Sequence, residues 1–112
     1  MVKFVEIIKT NSYIYLVYEY CEEGTLEDHL HKRGALPEKE ALLLFRQLTH
    51  AMKSLHEYHV LHRDVKPNNI FFKAGHLKLA DFGFCKRLRS SDDFTQTSLE
   101  SPLYMAPEIL NG

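Results

Sequence analysis

From Pro37 to Tyr58 apolar residues return at helical spacing: Ala41, Leu44, Phe45, Leu48, Ala51, Met52 and Leu55. No other stretch of the chain is so regular, and none constrains the fold as much. The spacing predicts one amphipathic helix over 37–58 that buries its stripe against other elements. Pro37 suits the first turn of such a helix, where a missing N–H costs nothing. A shorter helix is expected before it. Thr25, with Asp28 three residues on, resembles a capping box, and Gly34 suits the glycine that ends a helix.

Strand signals flank the two helices. Val2, Phe4 and Ile8 are apolar, and Tyr13-Ile14-Tyr15-Leu16-Val17-Tyr18 is a β-branched and aromatic run. Lys9-Thr10-Asn11-Ser12 between them is turn chemistry, so the opening reads as a hairpin. Such a hairpin has no partner sheet within this chain and should expose apolar surface. Val60-Leu61, Ile70-Phe71-Phe72 and Leu77-Lys78-Leu79 read as short strands, the last two joined by a Lys73-Ala74-Gly75 turn. Residues 86–101 are rich in Ser, Thr and Asp and read as a loop. The fold class is α+β.

The chain of 112 residues is long enough for one domain and too short for two. Fourteen Lys and Arg balance fifteen Asp and Glu, for a net charge of −1. There is no basic excess to attract nucleic acid and no apolar run near membrane-span length. Met1-Val2-Lys3-Phe4 has no signal-peptide pattern. Cys21 and Cys85 make no CxxC pair, so reduced thiols and a cytoplasmic or nuclear setting are expected. His56, His59 and His62 cluster, yet no partner pair stands at zinc-finger spacing.

Chemistry concentrates in His62-Arg63-Asp64-Val65-Lys66-Pro67-Asn68-Asn69, a polar loop bounded by apolar strands. An acid, a base and an amide in a loop held by a rigid scaffold suit a site. Asp81-Phe82-Gly83 follows the next strand, and Ala106-Pro107-Glu108 follows the polar loop. In that order, the three motifs resemble the catalytic half of a eukaryotic protein kinase. The resemblance covers the whole chain. It implies a protein-kinase-like fold, running from the last strands and hinge of the small lobe through the first half of the helical lobe. It sorts the chain into small-lobe strands (1–18), hinge (19–24), large-lobe helices (25–61), catalytic loop and strands (62–80) and activation segment (81–108).

What the resemblance implies follows the needs of phosphoryl transfer: neutralised phosphate charge and an aligned hydroxyl. Asp64 would be the catalytic base, and Lys66 would set positive charge near the moving phosphoryl group. Asn69 and Asp81 would hold Mg2+, whose hard character suits amide and carboxylate oxygens. Lys66 two residues after Asp64 resembles the Ser/Thr rather than the Tyr kinases, and Ser101 would sit beside the substrate hydroxyl. Arg63 would meet a phosphorylated Thr97, with Thr95 and Ser98 as alternatives. Tyr18, Glu19 and Cys21 would border the adenine of ATP, with Leu26, Asn68 and Phe71 around the same site and Ile70 in the same apolar column. Phe4, His62 and Phe82 match the family's regulatory stack. Protein substrates and regulatory proteins would be the partners.

Tyr-Cys-Glu-Glu-Gly-Thr-Leu at 20–26 and Ser-Pro-Leu-Tyr-Met-Ala-Pro-Glu-Ile-Leu at 101–110 resemble the unc-51-like, autophagy-initiating kinases. The calmodulin-dependent group competes. Two features depart from the family pattern: there is no G-x-G-x-x-G, and there is no V-A-I-K-like lysine. Glu100 also stands where a glycine often precedes Ser101. The expectation is therefore a fragment of a longer kinase with little activity of its own. The alternative is a catalytically dead kinase-like binding module that docks on a full kinase or its partner.

Overall fold

The computed structural model describes residues 1–88 and 102–110. Strands β1 (Phe4–Lys9) and β2 (Ile14–Tyr18) form an antiparallel hairpin with an irregularity between Phe4 and Glu6. Thr10 closes its turn: the side-chain oxygen accepts from the Tyr13 N–H at 3.0 Å. Both faces of this hairpin are exposed, Val5 and Ile7 as much as Phe4, Ile8 and Leu16. Strands that are apolar on both faces are suited to burial on both sides. The accessible surface of 8812 Å² exceeds the roughly 6400 Å² of a compact monomer of this mass.

Helix α1 (Leu26–Arg33) starts as the sequence suggests. The Asp28 N–H donates to the Thr25 hydroxyl at 3.1 Å, and the Thr25 N–H donates to the Asp28 carboxylate at 2.8 Å. Those reciprocal bonds satisfy donors that a helix end otherwise leaves orphaned. Gly34 ends the helix at φ 74, a left-handed conformation that a Cβ would strain. Thr25→Ala is expected to cost about 1 kcal/mol, read as a lower thermal midpoint. Thr49→Ala, which removes the same atoms mid-helix with a hydroxyl bonded back to the Phe45 carbonyl at 2.8 Å, is the comparison expected not to destabilise. Equal midpoints for the two variants would refute the capping argument.

Helix α2 (Glu38–Glu57) begins one residue later than expected, with Pro37 as its cap and Glu38 and Glu40 in the first turn. It ends where His59 takes the left-handed φ 56. Leu44, Leu48, Ala51, Met52 and Leu55 face the core. Phe45, expected on this stripe, is 64% exposed. At about 3.6 residues per turn it falls at the stripe's margin, beside exposed Leu42.

The stripe packs on a second hairpin, β4 (Ile70–Lys73) with β5 (His76–Leu79). Ala74 and Gly75 join them at φ 50 and 71, both left-handed, as a two-residue hairpin loop requires. Nothing lies near a Cβ built on Gly75, so backbone conformation alone is the reason for glycine there. Leu55, Ile70, Leu77 and Leu79 are the buried centre, ringed by Leu26, Val60 and Phe82 among others. The Gln47 side chain of α2 accepts the Leu77 N–H at 2.9 Å, capping the hairpin's outer edge.

Strand β3 (Val60–Leu61) pairs with β6 (Lys86–Arg87), and the Leu88 N–H donates to the His59 carbonyl at 2.7 Å. Residues 86 and 87 are thus a correction to the expected loop: backbone pairing, not composition, decides them. A short helix α3 (Pro107–Leu110) completes the described elements. No helix among the described residues is long and apolar enough to cross a membrane.

Candidate active site

Two non-glycine residues in left-handed backbone frame the site: Arg63 at φ 68 and Asp81 at φ 58. Such conformations cost about 1–3 kcal/mol each and persist where the surroundings fix them. At Arg63 the fixing contacts are specific. The His62 ring beside it is 1% exposed and bonded through Nε2 to the Ala80 carbonyl at 2.9 Å. Its Nδ1 accepts the Asp64 N–H at 3.3 Å, so the network assigns the proton to Nε2. The Arg63 Nε donates to the Phe84 carbonyl at 2.6 Å, and Cys85 Sγ donates to the His62 carbonyl at 3.6 Å. The loop is thereby tied to the segment after Asp81. Phe82 meets His62 edge to face, with ring centres 5.1 Å apart.

These contacts aim Asp64. Its carboxylate is buried, and Oδ2 receives the Asn69 amide at 2.8 Å and the Lys66 ammonium at 3.0 Å. The same Asn69 amide also donates to the Asp64 carbonyl at 2.8 Å. Pro67–Asn69 forms one 3-10 turn, with the Asn69 N–H on the Lys66 carbonyl at 2.9 Å. The Ala80 N–H donates to the Asn69 carbonyl at 2.8 Å, locking that turn to the strand that ends at Leu79. Asn69 spends its N–H donors on Asp64, and its side-chain carbonyl oxygen is the atom left for a cation. The Gly83 N–H donates to Asp81 Oδ1 at 3.2 Å and orients the second carboxylate.

Asn69 and Asp81 line one cavity of about 600 Å³ together with Tyr18, Glu19, Tyr20, Cys21, Asn68 and Phe71. Val2, Leu16, Ala80, Phe82 and Gly83 complete it; sequence reasoning had not placed these five on a cavity wall. That volume lies inside the range of small-molecule sites, which are apolar with a few convergent polar groups. The cavity has that character: Val2, Leu16, Phe71 and Ala80 offer apolar surface, and Asn69 and Asp81 offer oxygens. The residues therefore fit a flat heterocycle plus a hard cation. Asp64 and Lys66 are not among the lining residues but join through Asn69.

Leu26 and Ile70 are not among the cavity-lining residues; Leu26 packs against the core cluster that contains Ile70, which agrees with one shared apolar column. Asn68 lines the cavity, and its side-chain amide also donates to the Glu27 carboxylate in the first turn of α1. Phe4 meets Tyr18 edge to face at 5.6 Å. Thr95, Thr97, Ser98, Glu100 and Ser101 lie outside the described residues.

Glu19 has a strongly lowered carboxyl pKa. The Lys3 N–H and the Lys73 ammonium, followed by Lys78, hold its carboxyl at about 2, down from 4.5. A depressed carboxyl stabilises the fold fully above its unfolded value, and that contribution fades as pH falls from 4.5 toward 2. Burial pushes the Cys21 and Cys85 thiols up, so both stay protonated and poorly nucleophilic at neutral pH.

Comparison with known proteins agrees with this geometry. The protein kinase domain model matches residues 1–112. Serine/threonine-protein kinase ATG1a of Arabidopsis thaliana is 40% identical over 116 residues, covering 100% of this chain and 18% of that protein. Serine/threonine-protein kinase ULK3 of Xenopus laevis is 46% identical over 101 residues, 88% of this chain and 21% of that protein. ULK3 of Rattus norvegicus is 44% identical over 103 residues, 89% of this chain and 22% of that protein. The chain thus spans less than a quarter of the length of these relatives. The ordered loop around Asp64, the cavity that Asn69 and Asp81 line and the domain match over residues 1–112 agree: the chain belongs to the protein kinase domain family, and is similar to its unc-51-like serine/threonine kinases.

Proposed function

We propose that this chain carries the nucleotide cleft and catalytic loop of a protein serine/threonine kinase. The observation that carries the reading is the cavity that joins segment 18–21 to Asn69 and Asp81, with Asp64 bonded to Asn69. Backbone groups of 19–21 would meet the adenine edge, and Leu16, Phe71 and Ala80 would enclose its faces. Asn69 and Asp81 would hold Mg2+. Mg·ATP, when bound, supplies the phosphoryl group and neutralises its charge.

Asp64 orients the incoming Ser or Thr hydroxyl and accepts its proton, on a carboxylate whose orientation Asn69 and Lys66 fix through Oδ2. Lys66 keeps positive charge within 3.0 Å of that oxygen. Thr97, once phosphorylated, would pair with Arg63, and Ser101 would stand beside the substrate hydroxyl. Reduced Cys21 and Cys85 suit cytoplasm or nucleus. The chain contains no glycine-rich phosphate lid, so alone it binds nucleotide and transfers phosphoryl slowly, since positioning supplies most of the rate.

The test is titration of the 112-residue chain with a fluorescent ATP analogue. Saturable binding that needs Mg2+ and is lost in Asp81→Ala is the expected result. Absence of Mg2+-dependent binding at millimolar nucleotide would refute the reading. Binding indifferent to Asp81 would remove Asp81 from it.

A further inference from the structure

Donors from two segments far apart in sequence converge on one side chain that touches no reacting group. The Glu19 carboxylate receives the Lys3 N–H on Oε1 at 2.8 Å and the Lys73 ammonium on Oε2 at 3.0 Å. The Lys78 ammonium adds a third contact, to Oε1 at 3.2 Å. The Glu19 N–H returns to the Lys3 carbonyl at 2.9 Å, closing a ring with the start of β1. The Glu19 side chain is only 14% exposed, against 35% for Lys73 and 28% for Lys78. Exposed ion pairs contribute little, but a shielded carboxylate with three converging donors forms charge-assisted bonds that hold geometry.

We propose that the Glu19 side chain is a positioning residue for the nucleotide: a carboxylate latch that ties linker 19–24 to the β4–β5 hairpin and to β1. The proposal rests on the kinase reading of the cavity and adds a residue role to it. The carboxylate does not itself meet the nucleotide, because its oxygens already hold three donors and the phosphates are anionic. Its effect passes through the cavity walls. Lys78 is the cross-strand partner of Phe71, which lines the cavity, and Lys78 stands two residues before Ala80, which lines it as well. Glu19, Tyr20 and Cys21 line it from the linker side. The latch therefore spans the gap between the two walls and sets how far apart they stand.

Other ties cross the same junction. The Gly75 N–H donates to Glu23 at 3.0 Å, and the Phe72 N–H donates to the Gly24 carbonyl at 2.9 Å. They keep the linker attached when Glu19 is neutralised, so removal of the latch loosens the cavity rather than unfolding the chain.

The experiment measures dissociation constants of a fluorescent ADP analogue with Mg2+ on the 112-residue chain, alongside hydrogen exchange of amides 19–24. Glu19→Gln is expected to weaken binding about threefold to thirtyfold, the span by which residues remote from both ligands modulate coupling. Lys73→Met with Lys78→Met should do the same, and Lys73→Arg with Lys78→Arg should bind like wild type. Amides of the linker should exchange faster in the first two variants and not in the third. Unchanged binding by Glu19→Gln would overturn the latch, as would equal losses in the methionine and arginine pairs. Should the wild-type chain itself bind no nucleotide, the kinase reading fails, and the latch is then judged by exchange alone. Linker amides that exchange alike in wild type and Glu19→Gln would overturn it.

Discussion

On the proposed kinase reading, Asp64→Asn is expected to lower phosphoryl transfer about 10²–10⁴-fold, the usual contribution of a positioned acid–base group. In barrier terms that is about 3–5 kcal/mol, at about 1.4 kcal/mol per factor of ten. The expectation follows from what the substitution keeps and removes. Asparagine has the same shape, and its carbonyl oxygen can still accept the Asn69 amide that now sits at 2.8 Å on Oδ2. The negative charge is lost, and with it the site for the hydroxyl proton. The Lys66 ammonium, now 3.0 Å from Oδ2, loses its carboxylate and swings toward other acceptors. Asp64 does not line the nucleotide cavity, so KM for ATP should stay near its wild-type value while kcat falls. Steady-state transfer from labelled ATP separates the two constants. Retention of about a tenth or more of the wild-type kcat would remove Asp64 from the base role assigned to it.

The features that the sequence made legible are those encoded locally. The α2 stripe repeats within a single helix, the Thr25–Asp28 capping box spans three residues, and Ala74-Gly75 carries its own turn chemistry. The motif residues Asp64, Asn69 and Asp81 fall together because short strands and one 3-10 turn leave them few other places. The features that stayed hidden depend on distant pairings. Lys73 lies 54 positions from Glu19, and no local pattern distinguishes it from any surface lysine. The β3–β6 pairing joins two dipeptides too short to carry a strand signal of their own. Leu26 carries no local mark of which elements it packs on. The entry direction of α1, fixed by Gly24 and the Thr25 cap, turns it toward Leu55 and Leu79. Phe45 shows the same limit within a helix: periodicity marks a face, and only the packed hairpin defines how wide that face is.

The second large effect is on stability, and Leu79→Ala should produce it. Leu79 has no exposed surface and, among the described residues, shares its buried cluster with Leu55, Ile70 and Leu77. Truncating a buried leucine costs about 2–5 kcal/mol, from lost transfer energy plus the cavity left behind. Domains of this size are stable by about 0.05–0.15 kcal/mol per residue, so the loss is a large share of what the chain has. Consequences should reach the site, because Leu79 is anchored at both ends of its function. Its carbonyl accepts the Val2 N–H at 2.8 Å, and the next residue, Ala80, bonds both Asn69 and His62. A cavity at Leu79 therefore frees the strand end that holds Asn69 against Asp64, and nucleotide binding should fall together with the melting midpoint. The expected drop is about 10 °C or more by circular dichroism, from the size scaling of unfolding entropy. Leu103→Ala is the matched control, since the same side chain there is 85% exposed and its loss should shift the midpoint little. Equal midpoints for the two variants would mean that the cluster around Leu79 is not what holds the catalytic loop in place.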